Sequence, residues 1–417
     1  MIAPGSKGWI KKYFDLVERG EISLQLNRPE DMRKLHFMHQ TFAKTGIIYG
    51  FAVSFIFAKN INSSDWTVEE RIKFLLFESH LFVFTQARRS EKFNRYEFAE
   101  YLCAFYKNHS VHSISKLFRI FHKDNDLEKL EKTLSKRSAI KLNLLENKWW
   151  VTSFSNTFSF LDVILFDDYV HKENGHALKS YDSFASNAML AVILAAHSDG
   201  KIENQERSIF NIFLASANLV EEERDRLRAK LESGASMEEF SFFVKNHWFF
   251  KRFVLDISIL TAISNEILLE DELDFLVSLS DYLEIPFHEL EESLVLTESF
   301  LLEAEDKIDF IKGSSAYKKA YSSLSKRFTK IILRNKDKLT VELRESKELI
   351  LLVKKSATEE LSKEEKELVK SHFKDVLRSV PALAIFMIPG GAFLLPMVLK
   401  IIPDLLPSAF KDNEIEK

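Results

Sequence analysis

Acidic side chains gather around one short polar turn, HSDGKIENQE, in the middle of the sequence. Asp199, Glu203 and Glu206 recur there at positions i, i+4 and i+7. On a helix this spacing places the three carboxylates on one face, and clustered carboxylate oxygens are the ligands that hard divalent cations prefer. The same residues also suit a plain helix start, because Asp favours the N-cap and Glu in the first turn complements the helix dipole. A divalent-cation site and simple helix capping are therefore both open at this turn.

Few other residues have the type and spacing that chemistry requires. His36 and His39 lie three positions apart, a spacing that can ligate a metal, but no carboxylate accompanies them, and satisfied surface histidines are the favoured interpretation. Cys103, the single cysteine, excludes an intramolecular disulfide and has apolar neighbours, so we expect a small buried side chain. The phosphate-loop, zinc-protease and nucleophile-elbow motifs are missing from the sequence. We therefore predict that the protein is not an enzyme, with no cofactor except the divalent cation that the acidic turn could hold.

The composition predicts an all-α protein. Only 11 glycines and 8 prolines occur in 417 residues, a usage typical of helices joined by short loops. A net charge of −4 provides no whole-chain basic field, so we expect no binding to DNA. Residues 149–160, WWVTSFSNTFSF, are the one candidate for a pair of strands. Residues 46–58 are uncharged but too few to span a bilayer, which favours a buried core helix over a membrane segment.

Shifts in composition divide the chain into three predicted regions. Residues 1–175 form a helical N-terminal region, and residues 180–300 form a strongly periodic helical domain. Residues 306–417 contain a basic helical hairpin followed by an apolar segment. The hairpin has 19 Lys and Arg against 12 Asp and Glu over residues 306–378, a local excess of +7. The sequence thus predicts a multi-domain helical protein whose basic part directly precedes its most apolar part.

The central domain contains two similar segments 66 residues apart, beginning with MLAVILAAHSDGKIENQE and LDISILTAISNEILLEDE. In each, an apolar helix runs into a polar turn, and an acidic first turn then opens a second apolar helix. Glu272 in the second segment matches Glu206 in the first. A duplicated helical hairpin is the simplest structure that this pattern predicts.

This pattern resembles the TerB-type domain of tellurite-resistance proteins over roughly residues 182–298. In that family a paired Asp-Gly turn and the Glu that follows are associated with metal binding. The resemblance implies metal ligation by four residues: Asp199, Glu203, Glu206 and Glu272. Asn265 and Glu266 stand where the second half of the family pattern has Asp-Gly, so this chain offers fewer ligands than the pattern requires.

An uncharged stretch of 20 residues, 380–399, is long enough to cross a bilayer as a helix. Proline and glycine interrupt the predicted membrane segment, residues 380–402, and the residues just after it: Pro381, Pro389, Gly390, Gly391, Pro396 and Pro403. These residues break helices in water, but membrane helices tolerate them where neighbouring helices satisfy the freed backbone groups. A kinked spanning helix is favoured here. A re-entrant pair of half-helices and a hairpin buried in a soluble core are the alternatives.

The spacing of prolines and flanking residues in KDVLRSVPALAIFMIPGGAFLLPMVLKIIPDLLPSAF closely resembles the transmembrane segment of the LETM family. Nine positions match its pattern: Asp375, Arg378, Pro381, Pro389, Pro396, Pro403, Pro407, Ser408 and Phe410. LETM proteins are inner-membrane proteins tied to potassium or calcium exchange with protons, and the part after the membrane helix is described as ribosome-binding. Together with the TerB-like block, the chain looks like bacterial LETM-related proteins labelled biofilm-associated.

Three functions follow from these resemblances as expectations. The first is a non-enzymatic adaptor or sensor at the bacterial inner membrane, with the bulk of the chain in the cytoplasm and a protein partner. The second is a component of cation/proton exchange, which would require a homo-oligomer because one membrane helix cannot enclose a path. The third is a membrane factor that binds the ribosome through the basic residues 306–378.

Overall fold

The computed structural model describes residues 2–88, 93–109, 126–139, 154–171, 181–263, 270–304 and 326–378 except 327, 330, 357 and 358. This described part of the chain contains helices and no strand, which confirms the all-α prediction. The chain divides into two compact units. The first comprises residues 1–293 and 304–316, and the second comprises residues 294–303 and 317–417. The predicted N-terminal region, and the predicted central region up to residue 293, therefore lie in the first unit.

The N-terminal part of the first unit is a helical assembly around an aromatic core. Its helices are α1 (Trp9–Glu18), α2 (Lys34–Thr45), α3 (Val68–Ala87), α4 (Arg95–His109), α5 (Asp126–Ser138) and α6 (Phe160–His171). Most of α3 is buried, and it packs against α5 and α6. Edge-to-face ring contacts, such as Tyr13 with Phe77 at 5.1 Å, join α1 to α3. Aromatic pairs of this geometry add stabilisation beyond their buried area.

Two local predictions in this part are wrong in detail. Residues 46–58 are largely buried as predicted, but only Ile47–Tyr49 is helical, a short 3₁₀ turn between Gly46 and Gly50. Both glycines have a positive φ, a conformation that does not continue a helix. Helix α2 therefore ends at Thr45, and the 3₁₀ turn ends at Tyr49. Residues 154–160 of the predicted strand pair contain the 3₁₀ turn Thr157–Ser159 and the start of α6, and residues 149–153 lie outside the described residues.

A capping box begins α3, as the Thr-x-x-Glu spacing of Thr67 and Glu70 in the sequence predicts. The Thr67 hydroxyl accepts the Glu70 N–H at 3.2 Å, and a Glu70 carboxylate oxygen accepts the Thr67 N–H at 2.8 Å. We expect Thr67→Ala to lower the free energy of unfolding by about 1 kcal/mol, because one N–H of the first turn loses its acceptor. Urea denaturation would measure the loss, and the neighbouring substitution Val68→Ala, which leaves both bonds in place, serves as control. An unchanged midpoint in the Thr67 variant would contradict the expectation.

Residues 181–304 are built from a repeat of three helices. The first repeat contains α7 (Tyr181–Ala196), α8 (Asn204–Ser216) and α9 (Glu221–Ser233). A connecting segment with a 3₁₀ turn (Met237–Glu239) and the short α10 (Phe243–Asn246) leads to the second repeat. That repeat contains α11 (Trp248–Ile263), α12 (Glu270–Tyr282) and α13 (Phe287–Ala304).

The repeat is longer than the hairpin that the sequence predicts. Asn204 and Glu270 begin the second helices, and Glu221 and Phe287 begin the third helices, each pair separated by the same 66 residues. The same offset relates Asn218 and Glu284, the two non-glycine residues with positive φ in the described part of the chain. Since a positive φ is uncommon outside glycine, its recurrence at matched turns indicates that the whole three-helix unit is duplicated.

The two repeats pack around a pseudo-twofold axis. Their first helices, α7 and α11, have the most extensive contact of any described pair. The second helix of each repeat also contacts the first helix of the other, α8 with α11 and α12 with α7. Phe184 and Phe250, which are equivalent by the 66-residue offset, meet with ring centroids 4.6 Å apart. A reciprocal contact of equivalent residues is expected of a twofold relation.

The second unit contains three mutually contacting helices: α14 (Lys336–Glu345), α15 (Lys347–Ser356) and α16 (Lys363–Arg378). The capping box predicted at the start of α16 is present, with Ser362 N–H bonded to Glu365 at 2.9 Å. The apolar residues Val369, Phe373 and Val376 recur at helical spacing in the sequence, which predicts one apolar face, and all three are buried in α16. No helix in the described part of the chain is long and apolar enough to cross a membrane. The predicted membrane segment, residues 380–402, lies outside the described residues.

Candidate functional site

The acidic turn has the geometry of a helix start. The Asp199 carboxylate accepts the Lys201 N–H at 3.0 Å, and the Glu206 carboxylate accepts the Glu203 N–H at 2.8 Å. Glu206 and Glu272 are both fully buried. Within the described ranges, no group of three or more His, Cys, Asp or Glu side chains is placed to hold a metal ion. These contacts support the capping interpretation, and metal ligation by these four residues stays a prediction.

The described residues bring together a different set of ionisable groups, of which the sequence pointed only to His36 and His39. This buried ion cluster joins α2, α11 and α13 and consists of His36, His39, Arg252, Asp256, Glu289 and Glu292. Arg252 is fully buried and donates to Glu289 at 2.8 Å and to Glu292 at 3.2 Å. His39 pairs with Asp256 at 2.7 Å between Nε2 and Oδ2. The cluster therefore holds three carboxylates against one guanidinium and two imidazoles.

Mutual pairing shifts the pKa of several groups in the buried ion cluster. Hydrogen bonds to Glu289 and then Glu292 raise the pKa of His36 to about 9. Burial works to raise the pKa of Glu289, but the hydrogen bonds and charges of His36 and Arg252 outweigh burial and lower that pKa to about 2.

The prediction that the two histidines lie on the surface is wrong for His39, which is 1% exposed. A signal was available, since Arg252 and Asp256 interrupt the otherwise apolar helix WFFKRFVLDISILTAI at i, i+4 spacing.

We expect His36→Gln to remove a pH-dependent part of the stability. A pKa raised in the folded state contributes stability that is complete below the ordinary value of 6.5 and is lost as pH rises through about 9. The difference in unfolding free energy between the native protein and the His36→Gln variant should therefore shrink by about 1–2 kcal/mol from pH 6 to pH 10. This value is smaller than the full pKa shift implies, because solvent at the exposed edge of the imidazole screens its ion pairs. Urea titrations at a series of pH values measure it. A difference that does not vary with pH would show that His36 is not charged in the fold.

A second buried pair lies between α5 and α6. Arg137 donates to Asp162 from Nε at 2.5 Å and from Nη2 at 2.8 Å, and both side chains are 2% exposed. The Tyr106 hydroxyl donates to Asp162 at 3.1 Å and lies 3.4 Å from His80 Nε2. Burial lowers the pKa of His80 to about 4. This network satisfies its own charges and leaves no reactive group facing solvent in the region that it occupies.

A small crevice adjoins Arg137. Ser155 Oγ, Asn156 Nδ2 and Asn218 Oδ1 line it, and these three buried atoms have no hydrogen-bond partner in the described structure. The space has room for about one water molecule, which needs two to four polar partners to be held. One water molecule held by these atoms would satisfy the polar lining, and the crevice is too small for an organic substrate.

Glu78 of α3 is a buried anchor for the loop that follows the Ile47–Tyr49 turn. One carboxylate oxygen accepts the N–H groups of Ile56 and Phe57, at 2.6 and 3.2 Å. The other accepts the Ala58 N–H at 2.9 Å and the Tyr13 hydroxyl at 2.8 Å. Burial raises the pKa of Glu78 to about 7, and these four hydrogen bonds oppose that rise. The arrangement fixes a loop and α1 to α3 and has a structural role.

Cys103 conforms to the expectation of a buried, inert side chain. It is 8% exposed, and burial raises the pKa of its thiol to about 12. Because the thiolate is the reactive form, a thiol with this pKa is a poor nucleophile at neutral pH.

Only two of the residues that carry the LETM resemblance belong to the described part of the chain. Asp375 is exposed near the end of α16, and Arg378 is the last residue of that helix. Pro381, Pro389, Pro396, Pro403, Pro407, Ser408 and Phe410 all lie outside the described residues, as do Gly390 and Gly391. The structure thus describes the helix that leads into the resembling segment.

Comparison with known proteins supports one of the two resemblances. Residues 361–417 match the family model described as LETM1-like, RBD. No curated protein and no solved structure gives a significant match to the chain. The TerB resemblance of residues 180–300 gains no support from these comparisons and stays a prediction. The match begins at the capping box of α16 and continues through the proline-rich segment, so the C-terminal end of this chain is similar to the LETM1-like, RBD family.

Proposed function

We propose that this protein is a non-enzymatic, LETM-related adaptor or sensor at a membrane, whose helical body lies on the cytoplasmic side and binds a protein partner. The observation that carries this proposal is the match of residues 361–417 to the LETM1-like, RBD family. The matched region includes the 20-residue uncharged stretch, which supports attachment to a membrane at this end. The helices of the first unit would then form the body that the C-terminal segment tethers.

The chemistry of the described residues supports an adaptor rather than an enzyme. Arg252 and Arg137, two buried arginines, are each bound to carboxylates in the interior. Perturbed pKa values cluster at active sites when the groups line a cleft, but structural ion pairs perturb pKa values as well. The crevice beside Arg137 has room for about one water molecule. Charges of this kind hold helices together, which is a structural role.

Fractionation of the expressed protein tests the membrane attachment. The full chain and a version that ends at residue 375 would be separated into soluble and membrane fractions, and the membranes washed with carbonate. We expect the full chain to resist the wash and the truncated chain to be soluble. Recovery of the full chain as a soluble, monodisperse protein would refute the proposal and place residues 380–402 in a buried hairpin.

Ribosome binding is the second candidate, because the matched family model is described as an RBD and residues 306–378 carry an excess of +7. Binding of a basic surface to RNA releases counterions, so affinity falls steeply with added salt. Cosedimentation of detergent-solubilised full chain with ribosomes at increasing salt would test it. A salt-sensitive pellet that disappears when residues 306–417 are removed supports the candidate, and a pellet that is insensitive to this removal contradicts it.

A further inference from the structure

An amine, an imidazole and a carboxylate lie in series where the start of α2 meets α6. Lys34 Nζ is 3.2 Å from His171 Nε2. On the other side of the ring, His171 Nδ1 lies 2.8 Å from the main-chain carbonyl oxygen of Asp167 and 3.4 Å from its carboxylate Oδ1. These three residues belong neither to the buried ion cluster nor to the network around Asp162. We name Lys34 and His171 the amine–imidazole pair.

The contacts of the imidazole determine which of its nitrogens carries the proton. Both atoms near Nδ1 are oxygen acceptors, so the proton lies on Nδ1 and the Nε2 lone pair faces Lys34. A doubly protonated ring would instead place an N–H against the Lys34 ammonium. The amine therefore has a base within hydrogen-bond reach, and a third group, Asp167, orients that base. This is the arrangement that activates a nucleophilic side chain.

The position of Lys34 favours the neutral amine, which is the form that reacts. Lys34 is the first residue of α2, Arg33 is its N-cap, and the first turn contains no acidic residue. The N-terminal end of a helix disfavours a positive charge. Burial lowers the pKa of the Lys34 ammonium, and the charge of Arg28 acts in the same direction, whereas Asp167 opposes both without cancelling them. Lys34 should therefore be a stronger nucleophile than a fully solvated lysine at the same pH.

The amine–imidazole pair is accessible from solvent. The side chain of His171 is 42% exposed, and Lys34 is half-buried. The neighbouring carboxylate of α6, Asp168, is engaged elsewhere, by His247 at 3.0 Å between Oδ2 and Nε2. A small electrophile can thus reach the amine without entering a cavity.

We propose that Lys34 is a site of acyl modification, at which the amine reacts directly with a small acyl thioester. The amine lone pair attacks the carbonyl carbon, so that a C–N bond forms and the C–S bond breaks. His171 Nε2 takes the proton that the nitrogen loses and passes it to the departing thiolate. The products are an amide on Lys34 and a free thiol. The chain is modified once in this reaction and does not act as an enzyme.

Acylation would change the charge at the start of α2. An amide is neutral, so Asp167 would lose a nearby cation, two positions before His36 of the buried ion cluster. This inference goes beyond the adaptor function proposed above and does not depend on attachment to a membrane. The fractionation experiment decides that attachment separately.

Competition between lysines of the same molecule tests the proposal. The detergent-solubilised full chain would be treated at neutral pH with a limiting amount of N-acetylcysteamine thioacetate, a small thioester. Peptide mass spectrometry then follows acetylation at each lysine with time. Lys12, an exposed lysine of α1, is the internal reference. We expect Lys34 to react about tenfold faster than Lys12 although it is less exposed, because a positioned base typically contributes at least this much.

Two variants and a pH series complete the test. His171→Gln retains a polar side chain but removes the base, so the Lys34 rate should fall to about that of Lys12, while His288→Gln, at an exposed histidine of α13, should change neither rate. In the native chain, the Lys34 rate should reach half of its maximum at a lower pH than the Lys12 rate. The proposal is overturned if Lys34 reacts no faster than Lys12, if both rates have the same pH midpoint, or if a folded His171→Gln variant keeps the native Lys34 rate.

Discussion

Replacing Arg252 with methionine is expected to lower the free energy of unfolding by about 3–5 kcal/mol, the range measured when one partner of a buried ion pair is removed. Methionine fills most of the same volume, so the loss comes from charge rather than from a cavity. Glu289 and Glu292 would lose the guanidinium that neutralises them, at 2.8 and 3.2 Å, and would keep their ion pairs with His36. Urea denaturation at pH 6, where His36 is charged and the carboxylates are ionised, measures the effect.

Arg207 provides the matched control for this substitution. It pairs with Glu232 on the surface, and its side chain is 40% exposed. Because exposed ion pairs contribute about 0–1 kcal/mol, Arg207→Met should change stability by no more than that. A loss below about 1 kcal/mol for Arg252→Met as well would mean that water reaches the buried ion cluster in solution. Combining Arg252→Met with Glu289→Gln and Glu292→Gln should recover part of the stability, because the unpaired charges are then removed together.

Sequence periodicity was sufficient to predict the helices and the duplication, because both are local properties. The capping boxes at Thr67 and Ser362 involve residues three positions apart, and each forms as expected. The apolar run 46–58 shows the limit of prediction from local sequence. Its hydrophobicity predicted burial correctly, but Gly46 and Gly50 end the helix, and the rest of the run is fixed by contacts with α3 that are distant in sequence.

The buried ion cluster could not be derived from one sequence, since its pairs are non-local. His39 and Asp256 are separated by 217 positions, and Gln40 and Glu292 by 252. The sequence around His36 and His39 of α2 does not indicate which carboxylates these two side chains contact. At the acidic turn, Asp199 and Glu206 accept hydrogen bonds from nearby backbone N–H groups. The same residue types suit a helix start and a cation site, so the sequence alone does not choose between the two. Composition indicated which residues were charged but gave no information about their partners.

The second large effect is expected at Glu78, where Glu78→Leu should lower the free energy of unfolding by about 3–5 kcal/mol. The substitution removes the acceptor for three consecutive backbone N–H groups, from Ile56 to Ala58, and for the Tyr13 hydroxyl, all within a buried site. Each unsatisfied buried donor costs about 1–3 kcal/mol. The total is smaller than the sum of these costs, because the loop can move toward water and recover some of the lost hydrogen bonds. Urea denaturation at pH 5 measures the total, and amide hydrogen exchange at residues 56–58 shows whether the loop is released.

Two further variants separate the anchor from general damage to α3. Tyr13→Phe removes a single donor and leaves the three backbone bonds to Glu78, so we expect a loss of about 1 kcal/mol and unchanged exchange at residues 56–58. Glu70→Leu, also on α3, removes a solvent-exposed acceptor from the capping box and should cost about 1 kcal/mol. If Glu78→Leu costs no more than these two, the loop does not depend on the carboxylate. Protection at residues 56–58 would then have to come from the packing of Phe55 on Phe74, whose ring centroids lie 4.7 Å apart.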